Sequence, residues 1–309
     1  MTPDSPEEED VANMVKTRTV VKLGEHELSL SHPDKTIWPE AGITKLKYVQ
    51  LLAELAPFLL PYAKGRYLTT IRYPEGIRGV SFYQKNCPEP IPDYVRTAMN
   101  GSINYVVLDS VRTLLWMGSL YSLEFHVSSD EIDHPLPNTW MLDIDPSLDE
   151  EPRLMEATEH VLQALDSLGL SAVAKTSGAT GVQVVMPIER GPDFDALRRF
   201  GKFLSEYLVA RHPRLFTVER LKKDRGPMIY LDYLQHYAGK TLPAPYSPRA
   251  RPMATLSTPL TRDEVRRDVK PTDFHLLNVP QRLRERGDPL AAAPVQSLAP
   301  VIDHLLGKK

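Results

Sequence analysis

Short stretches with a period of two and longer stretches with helical period succeed one another along the chain, divided by proline and glycine. A strand is expected over residues 20–30, then the polar run Ser31-His32-Pro33-Asp34-Lys35 and a turn at Glu40-Ala41-Gly42. Thr44 has the chemistry of an N-cap and opens an amphipathic helix running to about residue 60, where Pro61 helps to stop it. Residues 67–73 read as a strand, Pro74-Glu75-Gly76 as a turn before residues 81–86, and two prolines then break the chain. A strand over 103–108, a short helix over 110–117 and a strand over 123–127 follow, the last with Glu124 and His126 on one face.

From residue 138 the order is more regular. A strand to residue 145, a helix over 151–168, strands over 172–176 and 182–188 and a long helix over 193–211 make a βαββα run, joined later by a strand ending at Asp232. This predicts a small mixed sheet with helices packed on it. Beyond Pro243 the chain is rich in proline and basic residues, with a short helix near Asp263 and a tail without clear periodicity. There is no internal repeat.

One strand carries candidate chemistry. Trp140-Met141-Leu142-Asp143-Ile144-Asp145-Pro146 is an apolar run ending in two carboxylates one residue apart, so Asp143 and Asp145 share a face and Ile144 takes the other. Pro146 cannot donate to a ladder and ends the pairing just past them. Asp232, late in Met228-Ile229-Tyr230-Leu231-Asp232-Tyr233, is a third acid of the same kind. Three carboxylates suffice for two metal ions about 3.5–4 Å apart, the arrangement that clamps both oxygens of phosphoryl transfer. Acids at strand ends also cap helices and start turns. Lys175-Thr176-Ser177-Gly178-Ala179-Thr180-Gly181, a strand followed by a turn of small residues, exposes backbone N–H groups and a hydroxyl that suit a phosphate; a plain hairpin gives the same pattern.

Composition narrows the class. With 309 residues, 42% of them hydrophobic, the chain has material for one large or two interlocked α/β domains. Residues 1–18, polar and acidic, are expected to be disordered. No window approaches the roughly 18 apolar residues of a membrane span, and no secretion signal is evident, so a cytoplasmic protein is expected. The single Cys87 excludes an internal disulfide and a cysteine-rich zinc site. A net charge of −3 argues against nonspecific coating of nucleic acid, yet basic residues cluster between Arg190 and Arg225 and again at Arg249 and Arg251. Arg198, Arg199 and Lys202 among them are expected to solvate a helix face.

Taken together, Asp143-x-Asp145-Pro146, Lys175-Thr176-Ser177-Gly178-x-x-Gly181, Asp232-Tyr233-x-Gln235 and Ala244-Pro245-Tyr246-Ser247-x-Arg249-x-Arg251-Pro252 resemble the polymerase domain of bacterial ligase D, in the archaeo-eukaryotic primase superfamily. The resemblance runs from about Ser29 to about Val279. It implies an α/β (α+β) primase-polymerase fold: an N-terminal α/β subdomain over 19–130 with DNA-end contacts, interlocked with an RRM-like catalytic part over 131–285, and a tail over 286–309. It further implies a template-directed nucleotidyltransferase of non-homologous end joining that fills gaps or extends 3′ ends at double-strand breaks, prefers ribonucleotides, and works with Ku and a DNA ligase near the bacterial nucleoid.

Residue by residue, Asp143, Asp145 and Asp232 match the family's metal triad, implying two Mg²⁺ or, preferentially, Mn²⁺ ions with an NTP or dNTP as substrate. His126, Ser177, Arg225, Gln235 and Arg249 match nucleotide-contacting positions. Lys35 and Lys45 match lysines that hold a 5′-phosphate across a DNA gap, and Phe82 and Tyr83, followed by Lys85, match an aromatic pair that stacks on the template. Two positions depart from many relatives: Gln183 stands where they have histidine, and Thr180 where they have a lysine inside the turn. Two rivals use the same residues differently. A two-metal phosphodiesterase needs the three acids but no triphosphate cradle, and a DNA-end binding module needs the lysines and aromatics but not the acids.

Overall fold

The computed structural model describes residues 18–23, 25–148 and 150–307. The expectation of disorder for the N-terminus falls almost wholly outside them, Arg18 already opening a strand. In place of one strand over 20–30 there is an antiparallel hairpin, β1 (Arg18–Leu23) and β2 (His26–Ser31). A second, small hairpin, β3 (Thr36–Trp38) and β4 (Ile43–Thr44), leads into α1 (Lys45–Ala63). Thr44 caps this helix, accepting the N–H of Lys47 at 3.3 Å. Pro61 does not stop it, and Pro57 also lies inside. Each proline forfeits one helical hydrogen bond, but burial of Ala56, Leu59 and Ala63 carries the helix through, and the Lys64 N–H closes it on the Leu60 carbonyl at 2.9 Å.

Two sheets follow. The first, antiparallel and in the order β15-β9-β5-β6, contains β5 (Leu68–Arg72), β6 (Phe82–Gln84), β9 (Ser122–Ser128) and β15 (Thr241–Pro243). Between β6 and β9 the chain makes the hairpin β7 (Thr97–Asn100) and β8 (Ile103–Val106) and the helix α2 (Val111–Ser119), capped by Ser110. The second sheet, in the order β11-β12-β10-β14-β13, contains β10 (Thr139–Asp145), β11 (Val173–Thr176), β12 (Val182–Pro187), β13 (Phe216–Thr217) and β14 (Ile229–Asp232). Only its β13–β14 pair is parallel. Helices α3 (Leu154–Ser167) and α4 (Phe194–Arg211) complete the expected βαββα run.

In β10, Trp140, Leu142 and Ile144 are fully buried while Met141, Asp143 and Asp145 take the other face. Trp140 packs edge-on to Phe200 of α4 and donates to the Leu197 carbonyl at 3.3 Å. Burying each such side chain contributes about 1.5–3 kcal/mol. That anchors the strand from below, with helices under one face and the carboxylates on the other.

The two sheets interlock, because β15 lies beyond the second sheet in the chain yet pairs with β9 of the first. A single hydrophobic cluster runs through both. The short helix expected near Asp263 is α5 (Arg262–Arg266), with a capping box at Thr261, and the tail that lacks evident periodicity contains α6 (Val279–Arg286) and α7 (Ala299–Leu306). These last two are too short for a helical period to stand out. They are held by burial of Val279, Leu283, Leu298 and Ile302.

Candidate active site and nucleic-acid interface

The central position of β10 decides where the acids meet. Asp143 pairs with Gln183 of β12 on one side and Asp232 of β14 on the other, so all three acids share one sheet face. Asp143 Oδ1 is buried and accepts no hydrogen bond, while Oδ2 faces the Gln183 amide at 3.5 Å. Burial, reinforced by the charges of Asp145 and Asp232, pushes the Asp143 pKa up to about 8. Asp145 is raised too, by burial and by Asp232, against the pull of Arg225, Lys222 and Lys240. Buried, mutually repelling oxygen donors with an orphaned lone pair fit a divalent cation. Among the described residues no three acid, histidine or cysteine side chains already close around one point, so the triad is a shared face rather than a finished cage.

Beneath the acids lies a lysine that the motif contained but to which no role was given. Lys175 is fully buried, donates to Gln183 Oε1 at 2.5 Å, to the Pro243 carbonyl at 3.3 Å and to Ser257 Oγ, and is lowered to about 7 by burial. Gln183 is thus the link between this amine and Asp143. A glutamine offers one acceptor and one donor group in fixed roles, which suits a position between an ammonium and a carboxylate.

The small-residue turn folds over the ends of these strands. Ser177 Oγ accepts the N–H groups of Ala179 and Gly181, both at 3.1 Å, and Thr180 is exposed at its tip. Gly178 has φ +69°, and a Cβ on Gly181 would come within 2.6 Å of the Ile144 carbonyl oxygen and 3.2 Å of Asp145 Oδ1. The turn therefore lies against the acid strand only because Gly181 lacks a side chain, while Gly178 supplies its left-handed bend and leaves room for Arg249 and the backbone at Leu256. Arg249 crosses from the 246–252 loop, donates to the Ser177 carbonyl at 2.6 Å and forms an ion pair at 2.8 Å with Glu124. Glu124 also accepts from His126 Nε2 at 3.0 Å, which brings His126, Arg249 and Ser177 into one linked group.

Arg225 and Gln235 stand apart from the turn. Arg225 donates to the carbonyls of Glu219 and Arg220, lies 3.9 Å over the Tyr230 ring, and acts electrostatically on Asp145. Gln235 is buried, with Oε1 unpartnered, in the wall of a 620 Å³ cavity shared with Met141, Lys175, Val185 and Leu242, between the two sheets. Arg198 does more than solvate α4: it donates to the His236 carbonyl at 2.6 Å and stacks on Tyr237. Lys202 is exposed on α4 and pairs with Glu206 at 3.7 Å.

A second charged centre lies in the first half of the chain. Lys45 is buried and donates to the carbonyl and hydroxyl of Ser31 at 2.8 and 3.2 Å; burial and the charge of Lys35 lower it to about 8. Lys35 pairs with Glu75 at 2.7 Å. Both ammonium groups lie over one ring, Tyr121, at 4.2 Å for Lys45 and 5.4 Å for Lys35. Tyr121 has φ +64°, a left-handed conformation a tyrosine adopts only when its surroundings enforce it. No sequence pattern marks this residue. Phe82 and Tyr83 sit on the edge strand β6, 44% and 71% exposed and open to a stacking partner, with the Arg72 guanidinium 5.3 Å from the Phe82 ring and Lys85 exposed just beyond. Glu124 was visible two residues before His126 on a strand face; only its contacts reveal a role.

The sequence model of one family, LigD, primase-polymerase domain, matches residues 44–290. The chain belongs to the LigD primase-polymerase family. Members are nucleotidyltransferases, and this LigD-type domain is 37% identical over 264 residues to the bifunctional non-homologous end joining protein LigD of Bacillus subtilis, covering 85% of this chain and 43% of that protein. To the multifunctional non-homologous end joining protein LigD of Pseudomonas aeruginosa it is 31% identical over 293 residues, covering 90% of this chain and 34% of the relative. The chain thus spans less than half the length of these curated relatives. Among solved structures, the polymerase domain from Mycobacterium tuberculosis ligase D in complex with DNA superposes with a TM-score of 0.79 at 26% identity, over 87% of this chain and 100% of that one. Among the described residues no helix is long and apolar enough to cross a membrane.

Proposed function

We propose that this LigD-type domain is a template-directed nucleotidyltransferase that extends a 3′-hydroxyl at DNA gaps and broken ends in non-homologous end joining, with ribonucleotides preferred. The observation that carries the reading is Asp143, Asp145 and Asp232 on one sheet face, one buried oxygen unsatisfied, beside a glycine-permitted turn tied to Arg249. The turn and Arg249 add a phosphate cradle that hydrolysis of a phosphodiester does not need. Two divalent ions, Mn²⁺ or Mg²⁺, held by the triad would acidify the 3′-hydroxyl and neutralise the triphosphate and departing pyrophosphate.

The chain's own residues do the rest. Ser177 and Arg249 hold the triphosphate, His126 and Gln235 line the nucleotide's place, and the charge of Arg225 opposes the upward push of burial and Asp232 on the Asp145 carboxyl. Lys35 and Lys45 take the 5′-phosphate beyond the gap, while Phe82 and Tyr83 stack on the template and Lys85 seeks its backbone. The primase-polymerase architecture with an RRM-like catalytic sheet, a cytoplasmic, nucleoid-associated location, and cooperation with Ku and a DNA ligase belong to the same proposal. They are supported by the matches to proteins named for end joining.

The test is primer extension on a gapped, 5′-phosphorylated duplex, comparing NTPs with dNTPs under Mn²⁺ and Mg²⁺, beside Asp143→Ala. Extension by the wild type that the variant lacks is expected. Tight gap binding with no extension by either would replace the polymerase by an end-binding module.

A further inference from the structure

Strand β9 buries an acid to which the proposed chemistry gives no task. Glu124, 4% exposed, shares a face of β9 with His126, while Leu123 and Phe125 fill the core on the other. Its Oε1 accepts the Ala250 N–H at 3.1 Å, which fixes the carboxylate plane. Its Oε2 accepts from His126 Nε2 at 3.0 Å and lies 2.8 Å from Arg249 Nε. One carboxylate thus grips two of the nucleotide-binding candidates at once.

The hydrogen bonding settles what each partner can offer a ligand. Burial pushes the Glu124 carboxyl up, but the His126 hydrogen bond and the Arg249 charge outweigh it and hold the group below the ordinary glutamate value. An ionised carboxylate only accepts, so His126 Nε2 must carry a proton. The charged and titratable groups facing the ring are Glu124 on its own strand, Arg249 from the 246–252 loop and Lys175 from β11. Burial, with the two cations, lowers the imidazole below its ordinary value against the pull of Glu124, so the ring is neutral at neutral pH. Its other nitrogen, Nδ1, then presents a lone pair, and no described residue donates to it. A lone pair repels phosphate oxygens, which are acceptors only; the hydrogen-bond donors of a nucleotide near its phosphates are the hydroxyls of its sugar.

We propose that Glu124 is a positioning residue that divides the incoming nucleotide between its two partners, aiming the Arg249 guanidinium at the phosphates and His126 Nδ1 at a sugar hydroxyl. The inference rests on the proposed nucleotide-binding function and adds a specificity element to it. Arg249 is kept off the catalytic carboxylates by a closer acid of its own, and His126 becomes a sensor of sugar hydroxyls rather than an anion contact.

The test measures equilibrium binding and single-nucleotide incorporation of NTP, 2′-deoxy, 3′-deoxy and 2′,3′-dideoxy triphosphates, with Mn²⁺ and a gapped duplex. The proteins compared are wild type, Glu124→Gln and His126→Phe. Wild type is expected to bind the nucleotide with the sensed hydroxyl about tenfold more tightly than the dideoxy form. The Glu124→Gln amide donates to Nε2 and turns the ring's N–H outward, so the sugar preference falls to within about twofold. KM for every nucleotide rises about tenfold as Arg249 is released, with kcat changed less than about threefold. His126→Phe flattens the sugar preference in the same way while affinity for inorganic triphosphate stays within about twofold, a readout that holds if Glu124→Gln folds poorly. Equal wild-type affinity for all four sugars, or a Glu124→Gln loss that leaves their ratio unchanged, overturns this proposal alone. A wild type that binds none of the nucleotides overturns the proposed function with it.

Discussion

The acid centre on β10 and the lysine centre beside Tyr121 are opposite in sign and also in completeness. Asp143 is buried with an oxygen that meets no donor, and its neighbours add repulsion. Lys45, equally hidden, has the Ser31 oxygens and an aromatic face, and Lys35 has Glu75. Hence the first centre keeps an unmet acceptor, whereas the second is satisfied in advance; on the proposed function a cation would relieve the first and a phosphate would exchange partners at the second. The difference teaches how each site carries its cost: burial and like charge raise the Asp143 pKa and lower that of Lys45 alike, but only the lysines find partners within the fold.

Substitutions at the two centres sharpen this contrast, the largest effect first. Asp143→Asn should reduce extension by about 10³-fold or more, since the proposed two-metal site loses a charged ligand, while raising the metal-free melting temperature because the cost of burying an ionisable carboxyl is removed. A kinetic assay beside a thermal melt checks both, and a lowered melting temperature would break the contrast. Lys45→Met should cut the preference for a 5′-phosphorylated over a 5′-hydroxyl gap about tenfold with little change in stability, and Lys35→Ala, at a more exposed position, about threefold. In the wild type this preference should fade as pH rises through about 8, where Lys45 loses its proton. Competitive gap binding across pH 6–9 reads all three.

The smallest effect is on stability. Asp143 has a native value near 8 against an ordinary 3.8, so its contribution is fully present below about pH 4 and lost as pH rises towards 8. On the proposed function Mn²⁺ competes with that proton. Its stabilising shift in melting temperature should therefore grow by a few degrees between pH 6 and 8, and Asp143→Asn should abolish the growth.

Much of the acid centre was legible because a strand's period of two is strict: Asp143, Ile144, Asp145 and Pro146 declare both face and end. The βαββα order was legible for the same reason. Where a feature depends on partners remote in sequence, nothing local marks it. Tyr121 is held left-handed by its surroundings, β13 and β15 are two or three residues long, and Pro61 is overruled by packing on its helix's far side. Glu124 and Lys175 were in view as residues, but their tasks are set by Arg249 and Ser257, which only folding brings near.

The return of β15 to the first sheet has a consequence for how the chain is made. As the polypeptide leaves the ribosome, β9 emerges with one edge bare, and the strand that covers it is synthesised only after the whole second sheet. The nascent N-terminal half therefore carries an open, pairing-competent edge while residues 129–240 are made, and the first sheet is complete only once Pro243 has left the exit tunnel. The domain is completed from its C-terminal side, so a nascent chain stalled before that strand is a substrate for chaperones rather than a smaller working enzyme.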